Sequence, residues 1–295
     1  MRSFILIFAW LVTANLAQAA DFGGLLRGVL GGVQTGPSAQ EAAANGNNNN
    51  APLGNLIGAL LAGQTTPEQE RLIGQQIAGN LLGAAPLVRD DALQRYVNRV
   101  GRWVASTSER PDLAWRFGVI ESEDINAFAA PGGYVFVTKG LYRRLQNEAE
   151  LAAVLGHEIG HVIRQHHLKL LQQSQMIAAV GGLFGQRLGN RSQVIQNLIG
   201  NGAEIVARSL DKDAEYEADR IGMVLTARAG YDPYALPAVL QEIGHVPAQD
   251  SRLALLYKTH PHPEDRLARL GEAAEAAGPG LPEGRLVDKR FYRLK

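Results

Sequence analysis

The stretch Asn147–Ile163, "NEAELAAVLGHEIGHVI", constrains this chain more than any other. Asn147 and Glu150 are spaced as a capping box ahead of an apolar run, so a helix starts there. Ala152, Ala153, Val154, Leu155, Ile159, Val162 and Ile163 make that helix apolar on most sides. Such a helix lies inside a fold. It carries His157, Glu158 and His161 in with it, and buried ionisable groups cost several kcal/mol unless they are paired or bound to a metal. Gly156 and Gly160 sit one turn apart, each costing about 1 kcal/mol relative to Ala within a helix. Together they form a smooth strip against which another element can pack closely. The chain must therefore build a buried polar centre around one helix.

Residues four apart share a helix face, so His157 and His161 point the same way. Two imidazoles placed like this can both reach one tetrahedral zinc ion, at about 2.0–2.1 Å. Glu158 lies roughly 100° around the helix. It is poorly placed to share the ion but stands where the general base of an H-E-x-x-H motif stands. A core histidine pair satisfied by hydrogen bonds is the simpler alternative. The letters EIGHV recur in "LQEIGHVPAQD", Leu240–Asp250. There Gln241 replaces the first histidine, and Gly244 and Pro247 end the helix. His245 is read as structural.

A catalytic zinc takes three protein ligands and keeps one open position. The sequence has no cysteine, which excludes thiolate ligands, thiol catalysis and disulfides. The best source of a third ligand is "DAEYEADRIGMVL", Asp213–Leu225. Glu215 and Asp219 share one face there, and like charges at that spacing repel by a few tenths of a kcal/mol. A common cation removes the conflict. Glu217 falls about 200° from Glu215 and is expected to face solvent. The competing reading is an acidic helix start favoured by the helix dipole.

Residues Phe4 to Val12, followed by Ala17-Gln18-Ala19, read as a secretory signal cleaved after Ala19. The apolar stretch is shorter than the roughly 20 residues needed to span a bilayer. Twenty-nine basic residues balance 29 acidic ones, so no global field draws the chain to nucleic acid or an anionic membrane. Residues 20–64 are rich in Gly, Asn and Ala and read as a flexible leader. Its two weakly apolar patches are candidates for a peripheral membrane or outer-membrane assembly contact. Ordered structure is expected from Thr66, a cap ahead of Pro67 and Gln69. A second helix follows near 91–106. Leu113–Ile120 and Gly133–Thr138 read as strands, with a turn between them. The expected fold is α+β, mainly helical, with a small β-sheet beside the helix of His157 and His161. The expected organisation is a signal peptide (1–19), the leader (20–64), a zinc metallopeptidase domain (65–275) and a C-terminal tail (276–295) that is polar and peripheral. Ala178–Asn190 is a candidate lid.

"HEIGH", "EYEAD", the upstream "NAFAAPGGYVFVTKGL" and the downstream "THPHPEDRL" occur in an order that closely resembles gluzincin zinc metalloendopeptidases of the CAAX-prenyl-protease-like family. The nearest branch looks like the secreted bacterial one that includes beta-barrel-assembly-enhancing proteases, which implies a zincin-like fold. The resemblance covers about Thr66 to Leu270. Ser209-Leu210-Asp211-Lys212 departs from the Ser-Arg that many relatives carry before the glutamate, and the spanning helices of membrane-embedded members are missing. The resemblance implies Glu215 as third ligand to one zinc per chain, and Asp219 as a support for a zinc histidine. It implies Glu158 as the base in peptide-bond hydrolysis, with unfolded or misassembled envelope proteins as substrates in the periplasm. An edge strand with Asn126, Ala127 and Phe128 would line the cleft through main-chain groups. It also places His260 near the metal, either as a removable fourth ligand or as an oxyanion donor, with a surface His-Pro turn as the simpler alternative; Arg266, whose charge does not depend on pH, is a second oxyanion candidate. A chaperone-like or binding module with a structural zinc is the alternative of a different class.

Overall fold

A computed structural model describes residues 65–173, 210–277 and 283–294. The expected signal peptide, the leader and the candidate lid lie outside the described residues. Helix α1 (Pro67–Ala84) opens as its letters require: Thr66 Oγ1 accepts from Gln69 N–H, and the Gln69 side chain accepts from Thr66 N–H. Helix α2 (Asp91–Ala105) is capped by Asp90. It buries Leu93, Tyr96, Val97, Val100 and Val104 along one stripe, the spacing of an amphipathic helix on a core.

Three strands follow: β1 (Arg116–Ile120), β2 (Ala127–Ala130) and β3 (Tyr134–Thr138). The sheet order is β1-β3-β2, with β1 parallel and β2 antiparallel to β3. The β2–β3 turn runs through Gly132 and Gly133 at φ 75° and 94°, a region where glycine alone is unstrained. The "NAFAAPGG" segment is thus both an edge strand and a turn.

Helix α3 (Glu148–Ile163) runs through the centre, buried from Glu148 to Val162. Asn147 caps it by accepting from Glu150 N–H, while the Glu150 carboxylate accepts from Gln146 N–H and the Asn147 amide. Helix α4 (Lys212–Arg228) is its main partner. A methyl added at Gly156 would lie 3.0 Å from Gly222 O, and one at Gly160 would lie 3.1 Å from Ala218 Cα. The glycine strip therefore does what its spacing suggests: it lets two backbones approach. Helices α5 (Ala235–Gly244) and α6 (Pro263–Ala277) complete the layer.

The closing segment departs from the expected peripheral tail. Phe291 is buried and stacks on Tyr142. Arg290, Tyr96 and Tyr231 all converge on the Glu148 carboxylate at the start of α3. A polar, Gly- and Pro-rich composition hid one aromatic anchor and one arginine with a buried partner. The fold is α+β and mainly helical, and among the described residues no helix is long and apolar enough to cross a membrane.

Candidate active site

Helix α3 presents His157 and His161 on the face that meets α4, and α4 presents Glu215 and Asp219. The two Nε2 atoms of His157 and His161 lie 3.0 Å apart. Glu215 Oε2 is 3.7 Å from His157 Nε2, and Oε1 is 3.4 Å from His161 Nε2. Ligand atoms on a tetrahedral zinc with bonds near 2.0–2.1 Å stand about 3.3 Å apart, so this triangle has the size of a coordination shell. His260 adds a fourth atom: its Nδ1 is 2.6 Å from Glu215 Oε2. One ligand atom from each of the four residues lies within 4.8 Å of the others.

The neighbours of each group bear on how it is protonated. Asp219 receives Arg266 through Nε at 2.9 Å and through Nη2. Burial would raise the Asp219 pKa, but Arg266 and His157 outweigh it and hold the carboxyl well below its ordinary range. His157 Nδ1 lies 2.8 Å from Asp219 Oδ1 and 3.2 Å from Arg266 Nη2; an ionised carboxylate only accepts, so the shorter contact favours a proton on Nδ1. His157 Nε2 then points a lone pair at His161 Nε2. Glu215 Oε1 is buried with no hydrogen-bond partner. Lone pairs crowded around an unsatisfied carboxylate oxygen repel one another, and a shared cation relieves the conflict. The residues fit a metal.

Glu158 is buried beside the cluster, and burial pushes its carboxyl pKa up. Burial likewise drives His161 far below its ordinary value, so it is neutral. A narrow crevice reaches this centre, lined by Ala127, Phe128 and Ala129 on one side and by Glu158, Glu215 and His260 on the other. Thr138 N–H donates to Asn126 O, so Asn126 turns its carbonyl inward onto β3. By alternation along the strand, Ala127 and Ala129 turn their peptide groups outward from the sheet.

The structure brings together His157, Glu158, His161, Glu215, Asp219 and His260. It moves three other expectations. Asn126 is not at the crevice: its main chain and side chain are bonded to Thr138 and Thr259. Arg266 lies behind His157 with its guanidinium committed to Asp219, because a buried arginine must find a carboxylate, so it is not placed for an oxyanion role. Glu217 does not simply face solvent: its carboxylate lies 3.2 Å from His166 Nε2. His245 of the second EIGHV stretch is exposed just past the end of α5, away from the cluster.

Sequence reasoning missed His166 and His167, both buried, the first 2.9 Å from His161 through paired Nδ1 atoms. No spacing rule finds them, since they follow the end of α3. The chain reverses there through Gln165 at φ 57°.

Residues 91–274, more than half of the chain, match peptidase family M48. The chain belongs to peptidase family M48. The match takes in α2 through most of α6, and with them every residue of the cluster. The chain is 30% identical over 246 residues to the beta-barrel assembly-enhancing protease of Yersinia pestis, covering 81% of this chain and 50% of that protein. It is 33% identical over 236 residues to the protein of the same name from Escherichia coli (strain K12), covering 77% and 47%. The mitochondrial metalloendopeptidase OMA1 of Schizosaccharomyces pombe is 29% identical over 177 residues, covering 60% and 52%. This M48 chain spans about half the length of the curated relatives it matches.

Proposed function

We propose that this chain is a zinc-dependent endopeptidase that cleaves extended or misfolded envelope proteins, one zinc per chain. The observation that carries the reading is the triangle of His157, His161 and Glu215 with a buried Glu158 carboxyl beside it. Membership of M48 and the names of the relatives support the same activity. Bound there, zinc supplies a Lewis acid that polarises a peptide carbonyl and acidifies water.

The residues divide the remaining work. Glu158 takes a proton from the attacking water and passes it to the leaving amine. Burial raises its pKa, the direction that helps it hold a proton until the amine leaves. Asp219, neutralised by Arg266, holds the His157 ring by its Nδ1 proton. The outward peptide groups of Ala127 and Ala129 can add a substrate strand to the sheet edge, with Phe128 lining the same crevice. Recognition through main-chain groups predicts broad tolerance of sequence, as a quality-control protease needs. A peptide library showing one stringent side-chain requirement would oppose that reading.

His260 serves as a latch. His260 lines the crevice, and its Nδ1 is already engaged by Glu215 inside the cluster, which favours occupation of the open position over an oxyanion role. His260→Ala should then raise basal proteolysis; a drop of roughly 10²–10³-fold would instead assign it to the oxyanion.

Export by a signal peptide over 1–19, ahead of a leader over 20–64 and the catalytic domain over 65–275, would make this a periplasmic enzyme. A chaperone-like module with a structural zinc has no use for Glu158, since a closed structural site needs no base. Metal analysis paired with a casein-cleavage assay, with and without chelator, separates the two. Stoichiometric zinc with chelator-sensitive cleavage supports the enzyme; stoichiometric zinc with no cleavage supports the module.

A further inference from the structure

Helix α4 sends three carboxylates toward the histidines on and just past α3: Glu215 into the cluster, Asp219 onto His157, and Glu217 onto His166. We propose that His166, held by Glu217, is the positioning residue that fixes His161 for metal binding. The inference rests on the reading of His161 as a ligand.

Proton accounting carries it. Glu217 lies 3.2 Å from His166 Nε2 through one oxygen and 3.0 Å from Arg164 Nε through the other. Arg164 Nε makes no hydrogen bond, so that contact places a positive charge beside the Glu217 carboxylate. An ionised carboxylate accepts, so His166 Nε2 carries the proton. A neutral imidazole has one N–H, so His166 Nδ1 must accept. Its partner at 2.9 Å, His161 Nδ1, must then donate. That leaves the lone pair of His161 on Nε2, 3.0 Å from His157 Nε2 and 3.4 Å from Glu215. With the opposite tautomer, His161 Nε2 would carry a proton and could bind no metal.

The backbone is arranged to deliver this ring. Helix α3 ends at Ile163, and Gln165 adopts φ 57°, a conformation costing of order 1 kcal/mol in a non-glycine residue. The Gln165 amide donates to Glu70, which also takes Arg110. The turn starts a helical run over 166–173 and swings His166 back against His161.

The test uses the full chain and measures zinc affinity by competition with a chromogenic chelator, beside the Tm of the metal-free protein. His166→Leu should weaken zinc binding by about 10–100-fold with the metal-free Tm unchanged. His166→Asn keeps an acceptor oxygen near the Nδ1 position and should restore most of the affinity. Glu217→Leu, which frees the His166 tautomer, should cost less than His166→Leu. His161→Ala is the control. If His166→Leu binds zinc like the parent while His161→Ala does not, the positioning role is overturned and the metal site stands. If His166→Asn is as weak as His166→Leu, the ring acts by packing and the proposal is overturned. If His161→Ala binds zinc as tightly as the parent, the metal reading and the proposal fall together.

Discussion

The letters EIGHV occur at 158–162 and again at 242–246, and the two copies meet opposite fates. In both, the isoleucine and the valine are buried: Ile159 and Val162 in one, Ile243 and Val246 in the other. In the first copy Glu158, Gly160 and His161 are buried as well. In the second, Glu242, Gly244 and His245 are exposed. The shared apolar spacing thus dictates one buried face each time. What differs is the opposite face, which meets α4 and its carboxylates in α3 and meets water in α5. A short motif acquires chemistry only when the fold closes a second element over its polar side.

Substitutions at matching positions can break that comparison, and the largest contrast is at the histidines. His161→Ala should lose most of the zinc and all proteolysis, because only His157, Glu215 and the His260 latch remain, and a site that needs the latch as a ligand keeps no open position for water. His245→Ala should change neither, by metal content and casein cleavage. Loss of zinc in His245→Ala would mean that the second copy contributes to the site from a distance, contrary to its exposed position.

The glutamates give the next contrast. Glu158→Gln is nearly isosteric but cannot accept a proton, so turnover should fall by about 10²–10⁴-fold with zinc retained. Glu242, half-exposed and 3.6 Å from Arg144, should tolerate the same change without effect, as surface ion pairs contribute about 0–1 kcal/mol. Equal rates for Glu158→Gln and the parent would remove Glu158 from the chemistry.

These contrasts trace what the sequence made legible. Period and capping located α3, and ligand spacing on α3 and α4 located His157, His161, Glu215 and Asp219. Such information is local, since each pair is one helical turn apart. Arg266 and His166 were misjudged or missed because their roles depend on partners far along the chain. Arg266 meets Asp219 across 47 residues, and His166 meets Glu217 across 51. The tail failed for the same reason. Composition describes the average of a segment, whereas Phe291 and Arg290 act singly against a buried surface.

The glycines supply a smaller effect, read as stability. A β-carbon at residue 160 would press on the Ala218 backbone at 3.1 Å. Gly160→Ala should destabilise by about 1–3 kcal/mol, the range for overpacking a filled core. Gly222→Ala should cost more, since its methyl would stand 2.8 Å from His157 N and would displace the histidine itself. Its signature is therefore weakened zinc binding together with a lower Tm. A normal Tm for both variants would show that α3 and α4 have room to part.

Gly244, the counterpart of Gly160, should respond with the opposite sign. It is the last residue of α5, its φ is not positive, and an added methyl would meet nothing within 4 Å. Alanine there narrows the unfolded ensemble without straining the folded one, which stabilises by about 0.4–1 kcal/mol at compatible sites. The terminal position favours the lower end, because the last turn of a helix frays and captures only part of a residue's propensity. Urea denaturation can resolve the change as a higher midpoint at constant slope. A lower midpoint would mean that the second EIGHV face is packed against something in the native protein, so the contrast between a covered and an uncovered copy would no longer hold.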